Sequence, residues 1–256
     1  MEAVKLNKYV RFDNGKSIEY GLLEGEKIIA LEGSIFEKWE KTDRIYDLKD
    51  VKLLAPCEPS KVVGIGINYK EVVNKKGDAM PEEPVIFLKP STSVIGPDEA
   101  IISPKGVKEL NYEAELVVVI KNRIKNVSVE DAKNHFLGYT CGNDITAKDF
   151  MIKGKPWTKA KSYDTFMPIG PCIAEGLDGD NLNIKMYHNG KITQNSNTSD
   201  MVFNVAQIIS FVSNIMTLNP GDVISTGTPP GKGNLLSGDV IEAELEGIGR
   251  LKNIVK

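Results

Sequence analysis

The stretch that decides the fold is "ELNYEAELVVVI", Glu109 to Ile120. Along a strand, alternate residues share a face. Leu110, Tyr112, Ala114, Leu116, Val118 and Ile120 then form one face. Asn111, Glu113, Glu115, Val117 and Val119 form the other. Both faces turn apolar toward Ile120, so the strand is expected to run into a core. Yet Glu113 and Glu115 enter on one side together. Two like charges at that depth repel one another and lose their hydration. Either this strand end is wet, or a hard divalent cation lies between the carboxylates, since such cations take carboxylate oxygens readily.

A third carboxylate adds weight to the second reading. In "GYTCGNDITAKDF" (138–150), Asp144 follows another strand-like run at the start of a turn. It could cap a short helix over "ITAKDF", or join Glu113 and Glu115 in an all-oxygen site suited to Mg²⁺, Mn²⁺ or Ca²⁺. Two further loops carry polar groups. "WTKAKSYDTFMPIGP" (157–171) holds Lys159 and Lys161. "PGDVISTGTPPGKG" (220–233) offers the Thr226 and Thr228 hydroxyls and turn N–H groups able to form an anion nest. Its spacing is not that of a nucleotide-binding P-loop.

The rest of the 256 residues frames these segments. With 41% hydrophobic and 26% charged residues, the composition is that of an ordinary globular protein long enough to bury a large core. A net charge of −3 with no basic block argues against nucleic acid. No apolar run approaches the ~20 residues of a membrane span, and the N-terminus lacks a signal-peptide core. Cys57, Cys141 and Cys172 are odd in number and widely spaced, which points to a reducing cytoplasm rather than a disulfide framework. With no CxxC and only His135 and His188, a zinc site is not expected. "GIG" at 64–66 lacks the third glycine and long helix of a dinucleotide site.

Short strands dominate the pattern. They are expected in "KYVRFDNGKSIEYGLLEGEKIIAL", "KVVGIGI", "PVIFLK", "AELVVVI", "GYTCGND", "IGPCIA", "NIKMYHNGKI", "DVISTG", "DVIEAELEGIG" and "RLKNIV", with a tight Asn-Gly hairpin at "HNGK". Helices are expected at "SIFEKWEK", "NYKEVVNKK", "SVEDAKNHF" and "NVAQIISFVSNIMT". The last places Val205, Ile208, Ile209, Val212 and Ile215 on one face. The Pro-rich connection after "KLLAP" divides a small β-rich unit, residues 1–55, from a larger module, residues 56–256. The class expected is α+β, mainly β.

Taken in order, "GIGINY", "PVIFLKPSTSVIGP", "NYEAELVVVI", "GYTCGNDITAKDF", "WTKAKSYDTFMPIGP", "NGKITQNSNTSDMVF" and "PGDVISTGTPPGKG" resemble the fumarylacetoacetate hydrolase family over residues 61–256. The resemblance implies rolled mixed β-sheets with few helices, a small N-terminal β domain and a homodimer. It implies a Mg²⁺ or Mn²⁺ site at Glu113, Glu115 and Asp144, with Lys161 as the active-site lysine. It implies substrate contacts at Thr228, Gly227, Tyr69 and Lys148. Its substrates are 2-oxo acids and their enols, handled through an enolate.

The chain also departs from that family. Hydrolytic members read N-Y-x-x-H with a glutamate three residues later. Here Val72 and Lys75 stand at those positions, so the usual base for C–C hydrolysis is missing. Lys148 replaces an arginine, losing its bidentate fork, and Met151 replaces a glutamine. Enolisation, as in a tautomerase or isomerase, is thus expected ahead of C–C hydrolysis or decarboxylation. A binding protein for 2-oxo acids is the reading outside enzymology.

Overall fold

The run after Glu113 forms a strand with every residue buried, and the main sheet is arranged around it. The structure is a computed structural model and describes residues 6–77 and 79–256. The first strands are β1 (Asn7–Asp13), β2 (Ile18–Glu24), β3 (Lys27–Gly33), β4 (Trp39–Asp47) and β5 (Lys52–Leu53). After them come β6 (Lys61–Gly66), β7 (Val85–Pro90), β8 (Val94–Ile95), β9 (Ala100–Ile101), β10 (Leu110–Asn111), β11 (Ala114–Ile120), β12 (Phe136–Asn143) and β13 (Thr146–Ala147). The last are β14 (Met167–Glu175), β15 (Asn183–His188), β16 (Lys191–Asn197), β17 (Val223–Ser225), β18 (Val240–Leu245) and β19 (Gly249–Val255). The α-helices are α1 (Lys70–Lys76), α2 (Thr158–Lys161) and α3 (Val205–Ile215).

One large mixed sheet runs β4-β3-β2-β1-β14-β12-β11-β17-β6-β7, with β5 on β1 and β8 on β14. A second sheet runs β16-β15-β18-β19-β9, and β10 pairs with β13. The N-terminal strands join the large sheet through β1 against β14, with Asn7 opposite Glu175. The mainly β class is as the sequence pattern predicts.

Alternation along β11 divides the interior. Ala114, Leu116, Val118 and Ile120 pack in one core with α3 and the second sheet, among them Ile208, Ile209, Val212, Ile184 and Leu245. Val117 and Val119 pack in another, with Tyr9, Leu22 and Leu31 from the N-terminal strands, Ile35 from the β3–β4 turn, and Ile169 and Ile173 from β14. The α3 helix starts at a capping box, in which the Asn204 side chain accepts from the Gln207 N–H and Gln207 answers the Asn204 N–H. At its far end Ile215 is 50% exposed and leaves the predicted apolar face.

Three expectations need correction. "SIFEKWEK" is a turn followed by the start of β4, because Trp39 is drawn edge-on against Tyr9, with ring centroids 5.8 Å apart. "SVEDAKNHF" holds only a 3₁₀ turn at Ala132–Asn134, and β12 takes over at Phe136. "ELNYEAELVVVI" is two strands rather than one, interrupted at Tyr112 and Glu113. The "HNGK" hairpin forms as expected, with Asn189 and Gly190 both at positive φ.

Candidate active site

The interruption in the opening stretch builds the site. At Glu113 the chain leaves β10 and enters β11, and side-chain amides satisfy the backbone there. The Glu113 N–H donates to Asn143 Oδ1 (2.9 Å), and the Ala114 N–H donates to Gln194 Oε1 (2.9 Å). The Asp144 N–H donates to the Glu113 carbonyl (2.9 Å), which ties the end of β12 to the same point. Glu113, Glu115 and Asp144 are all buried, with ligand oxygens within 4.8 Å of one another. Three oxygens around one ion at about 2.1–2.5 Å would span about that distance. The donor set is hard oxygen throughout, so these residues fit a divalent cation.

Lysines face the carboxylates from three elements. Lys161, at the end of α2, donates to Glu113 Oε2 (2.8 Å) and to Asp144 Oδ2. Lys89 of β7, completely buried, donates to Asp144 Oδ1 and to the Ile145 carbonyl (3.1 Å). Lys232, in the loop after β17, donates to Glu113 Oε1 (2.9 Å). Burial would raise the Glu113 carboxyl, but Lys161 and Lys232 together hold it at about 2. Glu115 has no such lysine on it. Burial, with repulsion from Asp144 and Glu113, lifts it to about 8, a countercharge deficit that a cation would remove. Burial would lower Lys161, yet the three carboxylates outweigh it and drive its pKa well above the usual lysine range.

The threonine-rich loop serves the metal ligands from behind. Ser225 Oγ (2.5 Å) and the Gly227 N–H (2.8 Å) both donate to Glu115 Oε2. The anion held by this turn is thus the protein's own carboxylate. Gly227 adopts φ +100°, where a Cβ would lie 2.8 Å from the Asn68 Cβ, so glycine is required. Thr226 and Thr228 donate their hydroxyls to the Leu116 and Ala114 carbonyls (2.9 and 2.8 Å), continuing the β17 side of β11.

A cleft of about 130 Å³ opens onto the carboxylates. Thr228, Lys161 and Lys232 line it beside the three acids, and Ile65, Ile67, Val72, Phe87, Met151 and Trp157 form its apolar wall. The "GIG" glycines admit that wall. A Cβ on Gly66 would lie 2.4 Å from the Trp157 ring, and one on Gly64 would lie 2.1 Å from the Phe87 ring. Ile67 sits at φ 56°, a strained position for a β-branched residue. Asn68 holds it there by donating to the Thr226 (2.8 Å) and Phe203 (3.1 Å) carbonyls.

Three predicted contacts do not line the cleft: Tyr69, Lys148 and Gly227, whose N–H is taken by Glu115. Tyr69, the N-cap of α1, is fully buried, and its hydroxyl has no hydrogen-bond partner among the described residues. Lys148 is exposed and opens a 3₁₀ turn outside the cleft. On α1, Lys75 pairs with Glu71 (2.7 Å), while Val72 faces the cleft. Lys89, Lys232, Gln194, Ser225 and Trp157 were not singled out by sequence reasoning. Only Lys89 left a signal, as a lysine closing an apolar strand.

With this geometry in hand, comparison with known proteins is direct. The family profile described as fumarylacetoacetate (FAA) hydrolase C-terminal matches residues 61–256, and one described as Rv2993c-like, N-terminal, matches residues 7–56. The chain belongs to the fumarylacetoacetate hydrolase family of enzymes. It is 39% identical over 229 residues to a mitochondrial oxaloacetate tautomerase of Xenopus laevis, covering 84% of this chain and 72% of that protein. It resembles a solved structure of 2-hydroxyhepta-2,4-diene-1,7-dioate isomerase from Mycobacterium marinum, with a TM-score of 0.91, 38% identity, and coverage of 97% and 98%. A 5-carboxymethyl-2-hydroxymuconate delta-isomerase from Mycobacterium smegmatis matches with the same TM-score, 0.91, at 38% identity, again covering 97% and 98% of the two chains.

Proposed function

We propose that the chain is a divalent-metal-dependent tautomerase or isomerase of a 2-oxo acid or its enol. The observation that carries this reading is the make-up of the cleft. Among the described residues lining it, the titratable groups are Glu113, Glu115, Asp144, Lys161 and Lys232. The acids are arranged as ligands, Lys161 lies against two of them, and the facing wall is apolar. Val72 of α1 lines the cleft at the sequence position where hydrolytic members of the family carry a histidine, and valine takes no proton. Relatives named as a tautomerase and isomerases point the same way.

Glu113, Glu115 and Asp144 would hold Mg²⁺ or Mn²⁺, which when bound supplies a Lewis acid for the 2-oxo carboxylate group. The protein's own residues do the rest. Lys161 fixes positive charge beside the acids, where it favours negative charge developing on the substrate oxygen. Phe87, Trp157 and Val72 exclude water, which strengthens that interaction. Gln194 and the 225–228 loop hold Glu115 and the β11 edge in place.

The test is ketonisation of enol-oxaloacetate, followed by ultraviolet absorbance with Mg²⁺, Mn²⁺ or a chelator. Acceleration that depends on the metal is expected. Glu113→Ala and Asp144→Ala should abolish Mn²⁺ binding in calorimetry, and intact binding in both would refute the ligand set. Pyruvate release from acylpyruvates at a rate matching ketonisation would instead make the chain a hydrolase.

A further inference from the structure

We infer that Lys232 is a specificity-determining residue that receives the second carboxylate of a diacid substrate. This deepens the proposed function and rests on it. Among the described residues, Lys161 and Lys232 are the cations lining the cleft, and they differ in freedom. Lys161 is buried and tied to both Glu113 and Asp144. Lys232 has a side chain 46% exposed, and its carboxylate partner is Glu113 alone. Any cation ligated by Glu113 competes with these two lysines for its two oxygens. Lys232 has the open side to turn to.

Its starting point is fixed. Gln194 Nε2 donates to the Pro229 carbonyl (2.6 Å), the Tyr112 hydroxyl donates to the Gly231 carbonyl (3.4 Å), and the Tyr112 N–H donates to the Gly233 carbonyl (3.4 Å). The loop backbone is thereby pinned on both sides of Lys232, so the ammonium group moves about an anchored stem. It moves within the cleft that Thr228 also lines.

Charge selects the ligand. Glu113, Glu115 and Asp144 as carboxylates, Lys89 and Lys161 as ammonium groups, and one divalent cation together carry a single net positive charge. Lys232 brings this to two, which a dianion neutralises and a monoanion does not. The head of a 2-oxo acid is matched by the acidic cluster. Its far carboxylate meets Ile65, Ile67, Val72, Met151 and Trp157 on the other walls, where the Trp157 indole N–H is a neutral donor and no side chain carries a countercharge. Lys148 lies outside the cleft and cannot substitute.

The experiment compares oxaloacetate with its 4-methyl ester, which keeps the 2-oxo acid head but loses the second charge. In Lys232→Met, the preference for diacid over monoester should fall about tenfold, the scale of one charge-assisted hydrogen bond. The loss should fall on KM rather than kcat, and Lys232→Arg should recover most of it. A second readout needs no turnover: calorimetric Kd values for 2-oxoglutarate and its 5-methyl ester with Mg²⁺ should show the same loss of preference. An equal effect on diacid and ester, or none, would show that Lys232 only neutralises Glu113 and would overturn the inference. A diacid preference in calorimetry that is lost in Lys232→Met, in a chain that turns over neither substrate, would refute the tautomerase reading while supporting Lys232. One that binds neither probe refutes both.

Discussion

The Asp222 carboxylate is completely buried and accepts hydrogen bonds from the Ser60 N–H (2.9 Å) and hydroxyl (2.6 Å), the Asn219 N–H (2.8 Å) and the Lys61 ammonium. It pins the approach to β6 onto the turn before β17, the two strands that carry the cleft wall and the Glu115 loop. Burial by itself would raise this carboxyl. The donors from Lys61, Ser60 and Asn219 outweigh it and hold the pKa below its ordinary value. A depressed carboxylate adds stability above its unfolded-state pKa, and that stability is lost as pH falls through the folded-state value. Asp222→Asn should therefore cost about 2 kcal/mol near neutral pH. The gap from wild type should close in acid as the carboxyl protonates, as urea melts across pH would report. Residue-scale reading of the sequence found the three acids and Lys161, because carboxylates in an apolar strand and a lysine among aromatics are chemically conspicuous. It passed over Asp222 and Lys232, whose partners are 161 and 119 positions away.

At the scale of elements, the strands were the most legible part, since period-two alternation and Gly/Asn turns are local signals. The two misread helices were short charged segments whose fate was set by packing, as with Trp39 on Tyr9. The Gly66 position shows the same limit. In sequence it is one glycine of an incomplete dinucleotide motif, and in the fold it is the seat of the Trp157 ring. Gly66→Ala should displace Trp157, cost about 2 kcal/mol and shift tryptophan emission to the red. A variant with wild-type emission and melting would mean that the ring relaxes without loss.

For the whole molecule, the notable feature is a large sheet that continues from the N-terminal strands into the rest through β1 and β14. The core beneath Val117 and Val119 draws Tyr9, Leu22 and Leu31 from the N-terminal strands and Ile35 from the β3–β4 turn. Removing residues 1–55 would strip these four side chains from that core, each worth about 2 kcal/mol, a loss comparable to the stability of an ordinary domain. A chain of residues 56–256 is expected to lose cooperative unfolding in calorimetry and to bind a hydrophobic dye. A sharp melt at the full-length temperature would contradict this. Among the described residues, no helix is long and apolar enough to cross a membrane.

By itself the sequence determined the mainly β class, the family, and the run of carboxylates leading into an apolar strand. Each of these is written in residue types and short spacings. Only the tertiary structure decided that the strand breaks at Glu113 and that the turn N–H of Gly227 holds Glu115. It alone placed Lys89, Lys161 and Lys232 on three sides of the acids and Lys148 outside the cleft. The physical reason is that charge compensation acts through space over a few ångströms, between groups that the chain keeps far apart until the sheets close.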